Sequence, residues 1–383
     1  LVSELRSMGY AIIPAPQKVT LNGEHVVIDN SWKIVSEIAD GHIVLNRLTK
    51  GALSLHGLTF SNSGSKQIIL KINSKAVNGI SNKGCNEQAY KLNITLDKIV
   101  IEGNAEAGLF YGVQSFLQLL KSNNNGKYKL PQGTIIDWPR LELRFIHWDS
   151  KHNRGRIKDL KRYIDWTAYF KVNAIAFEIE DKYEYPSHPI IGGPNALSKA
   201  EMVELTKYAR ERFIQLVPNI QSPAHMAYVL KHEEFAHLRA DGSNYQLCLC
   251  DEEAIKLIQD IMDATPGVDY LFVSTDELYY PGVCGKCSKP YTKENKSQYW
   301  ADYVKTIHKW LNGRRRMLVW MEFPLLAKDI AQFPNDIING VTYPNRDQEF
   351  VDIEYEKGIS QLSYSSLQGE EWLFPNYFPG KYR

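Results

Sequence analysis

Two adjacent carboxylates, Asp276 and Glu277, are the residues of this chain best suited to chemistry. They follow an apolar segment, Tyr270 to Val273, that is typical of a buried parallel strand, and a Tyr-Pro-Gly turn comes after them. In α/β proteins the carboxyl ends of such strands carry the chemistry. Because consecutive strand residues point to opposite sides, the two acids are expected to have different roles. The structural alternative is an aspartate that caps the next helix beside a solvated glutamate.

Polar and aromatic residues follow the other predicted strands in the same way. The ends of parallel strands meet on one face, so these residues are expected to line one pocket. A cluster of carboxylates with a tryptophan suits glycoside hydrolysis, in which one carboxyl protonates the leaving oxygen and a negative group stabilises the positive sugar ring. Buried salt bridges are the alternative. The cluster comprises Asp149, Glu178, Glu180, Asp181, Asn219, Gln221, His225, Trp320 and Glu322.

The elements that must position these residues alternate between strand and helix from Leu141 onward. Seven successive β-then-α units favour a closed (β/α)8 TIM barrel over an open doubly wound sheet. One helix is expected to begin at Ser198, where Ser-Lys-Ala-Glu201 fits a capping box. Few residues follow Leu367, so the last unit is expected to be irregular or the barrel incomplete at its C-terminus.

The residues before the barrel predict a separate small α/β domain. Short β-rich segments precede an apolar-periodic helix from about Ala105 to Leu120. We therefore expect an N-terminal α/β domain at 1–139, with a scaffolding role, and a catalytic barrel at 140–383.

Composition excludes several classes of partner. The 45 basic and 44 acidic residues leave a formal charge of +1, which gives no electrostatic reason to expect nucleic acid or an anionic membrane surface. No apolar segment approaches the roughly 20 residues that span a bilayer. A glycine-rich phosphate loop and a Gly-Xaa-Ser-Xaa-Gly elbow are both missing from the sequence. Nucleotide-binding and serine-hydrolase functions are therefore disfavoured.

Four of the five cysteines form two closely spaced pairs. Cys284-Gly-Lys-Cys287 has the spacing of a metal knuckle, and Cys248-Leu-Cys250 would supply two more thiolates for a four-sulfur zinc site. Reduced thiols, or a disulfide within the Cys284–Cys287 loop, are the alternatives. The fifth cysteine is Cys85.

Several motifs, in order along the chain, together resemble one family. They are Ile13-Pro-Ala-Pro-Gln, Ile101-Glu-Gly-Asn, Asp137-Trp-Pro-Arg140 followed by Arg144 and Asp149, the segment from Leu216 to Arg239, Asp276-Glu277, and Trp320-Met-Glu322. This set is similar to the family 20 glycoside hydrolases, the β-N-acetylhexosaminidases, and resembles the hexosaminidase D branch in particular. The resemblance covers nearly the whole chain.

The resemblance implies an exo-acting, retaining enzyme that removes terminal GlcNAc or GalNAc and requires no cofactor. In this family the sugar's own 2-acetamido oxygen attacks the anomeric carbon, so the protein supplies no nucleophile. Glu277 would be the general acid and then the general base. Asp276 would hold and polarise the acetamide N–H.

The resemblance also implies roles around the sugar. Arg144 would bind the hydroxyls at carbons 3 and 4, and His225 would support the acid network. Trp320 would form a wall against the acetamide methyl group, and Glu322 would accept a sugar hydroxyl. The further substrate-binding candidates are Asp149, Tyr343 or Tyr364 for the acetamide carbonyl, and Trp372 as a second wall.

One departure from the family pattern lies beside the catalytic pair. The family commonly has His-Xaa-Gly-Gly before its Asp-Glu, whereas this chain has Phe272, Ser274 and Thr275 at those positions. Their side chains are expected to enter a region where backbone segments usually run close together. A catalytically weak carbohydrate-binding protein on the same scaffold is therefore the main alternative, and a zinc-stabilised interaction barrel is a third.

Some properties stay open at this level. The sequence does not choose between the gluco and galacto configurations, and it identifies neither the leaving group nor the oligomeric state. Polymeric substrates outside the cytoplasm favour export, whereas unpaired cysteines argue against it.

Overall fold

The computed structural model of the chain describes residues 3–29, 31–122, 127–150, 155–287, 292–342 and 348–364, without the side chains of Thr342 and Tyr364. Contacts divide these residues into two compact units. The first contains the residues up to Phe145 together with 161–174 and 208–214, and the second contains 146–160, 175–207 and the residues from Gln215 onward. The predicted domain boundary after residue 139 stays a prediction.

The first unit is built on a mixed sheet. Its strand order is β1-β7-β4-β5-β3-β2, with β6 paired to β7. The β2–β3 and β3–β5 pairs are parallel, and the other pairs are antiparallel. The strands are β1 (Lys18–Ile28), β2 (Trp32–Ser36), β3 (Lys66–Ile72), β4 (Tyr90–Ile94), β5 (Lys98–Gly103), β6 (Lys121–Ser122) and β7 (Tyr128–Asp137). The helices are α1 (Glu4–Ser7), α2 (Ile43–His56), α3 (Lys83–Glu87) and α4 (Glu106–Leu119).

Helix α4 forms the core of this unit because most of its residues are apolar and buried. Two glycines let the helix backbone approach the sheet closely. A Cβ atom at Gly108 would lie 2.1 Å from the carbonyl oxygen of Ala89, and one at Gly112 would lie 2.6 Å from a methyl group of Ile101. The expected helix at about 105–120 is thus confirmed.

A buried ion pair lies at the end of β7. Lys171 Nζ is 3.2 Å from Asp137 Oδ2 and also donates to Ser115 Oγ at 3.1 Å. The Tyr90 hydroxyl donates to the same Asp137 oxygen at 2.9 Å. Burial lowers the pKa of Lys171, and the Asp137 carboxylate opposes that shift. The carboxylate is therefore the group that compensates the buried ammonium.

The second unit contains the strands of the predicted barrel. Its 7-stranded sheet has the order β14-β13-β12-β11-β10-β9-β8, so each strand neighbours the next one in sequence. The pairs from β10 to β14 are parallel. The strands are β8 (Phe145–Asp149), β9 (Ala174–Glu178), β10 (Gln215–Gln221), β11 (Tyr270–Ser274), β12 (Arg316–Val319), β13 (Ile338–Thr342) and β14 (Ser360–Tyr364).

Helices follow these strands along the chain, as the alternating pattern predicted. Strands β9 and β10 are buried along almost their whole length, as expected of strands covered on both faces. The capping box at Ser198 is confirmed, since its backbone N–H donates to Glu201 Oε2 and its hydroxyl accepts from Glu201 N. The helices are α5 (Ile157–Tyr169), α6 (Lys199–Arg210), α7 (Ala227–Leu230), α8 (Glu252–Asp263), α9 (Lys293–Leu311) and α10 (Gln348–Lys357).

Among the described residues, none of the helices combines the length and the hydrophobicity needed to cross a bilayer.

The first prediction concerns the buried ion pair. Replacing Asp137 with Asn should lower the free energy of unfolding by about 3–5 kcal/mol, because the Lys171 ammonium would lose its only charged partner among the contacts given above. Urea denaturation at neutral pH measures this. The matched control is Asp97→Asn, which removes an exposed pair with Lys66 at 3.7 Å and should cost less than about 1 kcal/mol. Equal losses in the two variants would contradict the prediction.

Candidate functional site

Asp276 and Glu277 lie just beyond the carboxyl end of β11, which ends at Ser274. The chain has therefore left the strand conformation before it reaches either acid. His225, which follows β10, joins the two: its Nε2 is 3.1 Å from Asp276 Oδ2 and 3.2 Å from Glu277 Oε2. Both carboxylates consequently contact one imidazole nitrogen, although strand alternation would have separated them.

Left-handed backbone conformations cluster at this end of the sheet. Glu277 has φ 53°, His225 has φ 56° and Glu180, after β9, has φ 38°. Such conformations cost non-glycine residues about 1–3 kcal/mol each and collect at functional sites. Three neighbouring strands thus each carry a strained polar residue just beyond the strand end.

The two acids differ in exposure. The Asp276 side chain is 17% exposed, whereas that of Glu277 is 42% exposed. Asp276 Oδ1 is buried and has no hydrogen-bond partner among the described residues. A buried acceptor without a donor is costly, so this oxygen is suited to a donor that a ligand would bring.

Two tyrosines flank Glu277. The Tyr245 hydroxyl donates to the Glu277 carbonyl oxygen at 3.0 Å and lies 3.4 Å from His225 Nε2. The Tyr279 ring stacks on that of Tyr245 with centroids 5.9 Å apart, and its phenol is close enough for the Glu277 charge to affect its pKa. Burial first, and then the Glu277 charge, raise the pKa of both phenols. Both therefore stay protonated donors at neutral pH.

Trp320 follows β12 and is held on several sides. Its indole N–H donates to Ser274 Oγ at 3.2 Å, and its backbone carbonyl accepts from Thr275 Oγ1 at 2.8 Å. Its ring stacks on His147, with centroids 6.3 Å apart. A Cβ atom at Gly340 would lie 2.5 Å from the ring, so β13 has space for this indole only with glycine there. The two hydroxyl side chains that depart from the family pattern thus fix the tryptophan.

A buried polar network continues from Ser274 towards β8 and β9. Ser274 Oγ donates to Asn219 Oδ1 at 2.8 Å, and Asn219 Nδ2 lies 3.3 Å from His147 Nε2. His147 Nε2 is 2.8 Å from Glu178 Oε2, and Gln221 Nε2 donates to the other Glu178 oxygen at 2.8 Å. Glu178 is 1% exposed, so these contacts compensate a buried carboxylate.

Two further predicted residues lie at strand ends, and three cannot be evaluated. Glu322 lies just after β12, where its charge contributes to the raised pKa of Tyr279. Asp149 is exposed at the end of β8. Tyr343, Trp372 and the side chain of Tyr364 lie outside the described residues.

Arg144 lies at the other end of its strand from the two acids. This residue precedes β8, at the amino end of the strand, whereas the acids follow the carboxyl ends of theirs. Its guanidinium donates to the carbonyl oxygens of Lys171 at 2.7 and 2.8 Å and of Leu141 at 2.9 Å, and to Gln88 Oε1 at 2.7 Å. These donors are used within the first unit, and the role of Arg144 at the sugar hydroxyls stays a prediction.

The cysteine pairs lie on the loops after β10 and β11. The structure joins Cys248 to Cys284 and Cys250 to Cys287. Cys284 and Cys287 are therefore not joined to each other in this structure. Cys85 is a buried free thiol in the first unit.

Sequence reasoning missed Tyr245, Tyr279 and His147. Tyr279 follows Glu277 by two positions, and that proximity was the available signal. His147 and Asp149 are two positions apart on β8, so their side chains lie on the same side of the strand. Tyr245 lies in a long loop, and its distance from Glu277 along the chain gave no signal.

Two known proteins have sequences similar to parts of this chain. Hexosaminidase D of Bos taurus is 26% identical over 212 residues, covering 53% of this chain and 60% of that protein. N,N'-diacetylchitobiase of Vibrio harveyi is 31% identical over 189 residues, covering 40% of this chain and 21% of that protein. The chain therefore spans about 60% or less of these two relatives.

Solved structures confirm the fold, a TIM barrel preceded by a small domain. The chitobiase of Flavobacterium johnsoniae superposes with a TM-score of 0.77 at 20% identity, covering 93% of this chain and 59% of that one. The β-N-acetylhexosaminidase of Streptomyces coelicolor A3(2) superposes with a TM-score of 0.73 at 22% identity, covering 92% of this chain and 74% of that one.

The family models match both parts of the chain. The model described as "Glycosyl hydrolase family 20, domain 2" matches residues 9–138, and the one for the family's catalytic domain matches residues 142–341. The matched segments follow one another as the small domain and the barrel do, and the second carries both carboxylates, His225 and Trp320. The chain belongs to glycosyl hydrolase family 20.

Proposed function

We propose that this protein is an exo-acting β-N-acetylhexosaminidase that removes terminal GlcNAc or GalNAc with retention of configuration. The observation that carries the proposal is Asp276 Oδ1, a buried acceptor with no partner among the described residues, beside a more exposed glutamate. A 2-acetamido group would supply the missing N–H donor. The names of the relatives, which include hexosaminidase D and chitobiase, agree with this substrate class.

Asp276 is the residue that orients the acetamide. A hydrogen bond from the acetamide N–H to Oδ1 increases the electron density on the acetamide oxygen, which attacks the anomeric carbon. The carboxylate then stabilises the positive charge of the oxazolinium ring. Oδ2 meanwhile stays on His225, 3.1 Å from Nε2, so the side chain is held in position from its other oxygen.

Glu277 is the proton carrier. Its carboxyl protonates the glycosidic oxygen as the bond to the leaving group breaks, and the resulting carboxylate then removes a proton from the water that opens the oxazolinium ring. His225 Nε2 lies 3.2 Å from its Oε2 and holds the side chain in position. Its 42% exposure leaves room for a leaving group and for water.

The remaining residues shape the sugar pocket. Trp320, fixed by Ser274 and Thr275, presents an apolar wall for the acetamide methyl group. Glu322 and Asp149 are charged acceptors for sugar hydroxyls. Tyr245 keeps the Glu277 backbone in its left-handed conformation through the hydrogen bond to its carbonyl.

Replacing Glu277 with Gln tests the function itself. An amide cannot donate an acidic proton, so kcat for chromogenic N-acetylglucosaminides or N-acetylgalactosaminides should fall about 100-fold to 10,000-fold. The control is Glu356→Gln on the exposed side of α10, which should leave kcat unchanged. If the wild type binds these sugars but hydrolyses them no faster than the Glu277 variant, the protein is a carbohydrate-binding protein instead.

Replacing Asp276 with Asn tests substrate assistance. A thiazoline analogue of the oxazoline intermediate carries positive charge when protonated, and an amide stabilises that charge less than a carboxylate does. The affinity for the thiazoline should therefore fall about tenfold to a hundredfold. The affinity for neutral GlcNAc or GalNAc should fall less, as isothermal titration of both ligands would measure. Equal losses for the two ligands would mean that Asp276 only shapes the pocket.

Replacing Ser274 with Ala tests how Trp320 is held. The buried indole N–H loses its acceptor, so the free energy of unfolding should fall by about 1–3 kcal/mol, and KM for the chromogenic sugar should rise. Urea denaturation and initial-rate kinetics measure the two effects. Ser187→Ala, at an exposed serine, is the matched control. A Ser274 variant with unchanged KM would exclude a positioning role for this hydroxyl.

A further inference from the structure

Four cysteine sulfurs from two loops gather in one cluster beside the candidate active site. Cys248 and Cys250 lie on the loop after β10, and Cys284 and Cys287 lie on the loop after β11. Two further distances join sulfurs of different pairs. Cys287 Sγ is 3.4 Å from Cys284 Sγ and 4.0 Å from Cys248 Sγ. The sulfurs of Cys248, Cys284 and Cys287 all lie within 4.8 Å of one another, and Cys250 is joined to Cys287. The two cross-links thus lie side by side in one cluster of four sulfurs.

We propose that the four reduced thiols bind one structural zinc ion. Zinc takes four thiolates in a tetrahedron with Zn–S bonds of about 2.3 Å, which requires sulfur-to-sulfur distances of about 3.8 Å. The 3.4 and 4.0 Å distances between non-joined sulfurs fall on either side of that value. A thiol reductant first converts the two disulfides to four thiols and is itself oxidised to its disulfide. Binding then replaces the four thiol protons by one Zn²⁺.

The local backbone fits a metal knuckle. Cys284-Gly-Lys-Cys287 has the two-residue spacing of zinc half-sites, and Cys287 N donates to the Cys284 carbonyl oxygen at 3.0 Å, which closes a tight turn. Cys248 and Cys287 are 3% and 7% exposed, so the centre of the cluster is shielded from water. Lys286, within the knuckle, pairs with Asp251 on the other loop and supplies positive charge near the thiolates.

The site would hold together the two loops that flank Glu277. Tyr245 lies three residues before Cys248, and Tyr279 lies five residues before Cys284. Between them, the Gln246 side-chain oxygen accepts from Tyr280 N at 2.9 Å. Zinc binding fixes the distance between these loops and therefore the stacked pair of Tyr245 and Tyr279. This inference does not depend on the glycosidase assignment.

Metal content tests the proposal on the intact chain. Protein expressed with added zinc and purified under reducing conditions should contain about one zinc ion per chain by elemental analysis and by native mass spectrometry. The double variant Cys284→Ser, Cys287→Ser should lose that zinc, and Cys85→Ser, at the buried thiol of the first unit, should retain it. A wild-type chain without zinc, whether it has two disulfides or four alkylatable thiols, would overturn the proposal.

Cobalt substitution identifies the type of ligand from the spectrum of the wild-type protein, without relying on a variant that folds poorly. Wild-type protein loaded with Co²⁺ should show thiolate-to-metal charge-transfer bands and the intense d–d bands of tetrahedral coordination. Cys250→Ser removes only the exposed ligand and should weaken these bands without abolishing them. Cobalt spectra of octahedral type, or spectra identical in Cys250→Ser and wild type, would exclude the four-sulfur site.

Discussion

The site depends on the requirement that buried polar groups on adjacent strands satisfy one another. From β12 to β8, the contacts run from the Trp320 indole N–H to Ser274 Oγ, from Ser274 to Asn219, and from His147 to Glu178. Each group would cost several kcal/mol if left unpaired in an apolar interior. The network therefore fixes the strand positions relative to one another, and with them the places where Asp276, Glu277 and His225 emerge.

The unequal environments of the two acids follow from where the strand ends. Because β11 stops at Ser274, Asp276 remains partly enclosed while the left-handed conformation at Glu277 turns that residue towards the open side. A strand that continued through Glu277, three residues further, would have directed the acids to opposite faces. Backbone strain at Glu277 and His225 thus allows adjacent carboxylates to serve one substrate in different roles. The Tyr245 hydrogen bond to the Glu277 carbonyl helps to maintain the left-handed conformation at Glu277.

The sequence was sufficient for the barrel and for the pair of acids because both depend on local patterns. Apolar runs such as Tyr270 to Val273 predict buried strands, and residues after such runs lie at the strand ends. The resemblance that suggested Arg144 does not state at which end of the strand a residue lies. Arg144 precedes β8, and its guanidinium donates to backbone carbonyls. Tyr245 was missed because loop conformation depends on long-range contacts that no periodicity records.

Ser274 and Thr275 show how this segment can differ from the family pattern while the contacts of the site are kept. Glycines at these positions would offer the Trp320 indole no side-chain acceptor. Here Ser274 Oγ accepts the hydrogen bond of the indole N–H, and the Thr275 hydroxyl donates to the Trp320 carbonyl oxygen. The indole ring itself has space because β13 has glycine at position 340, against the ring. Phe272 contributes from the same strand, its ring centroid 5.0 Å from that of Trp320. The departure from the family pattern is therefore a coordinated set of contacts around one aromatic wall, and it leaves the contacts of both carboxylates with His225 intact.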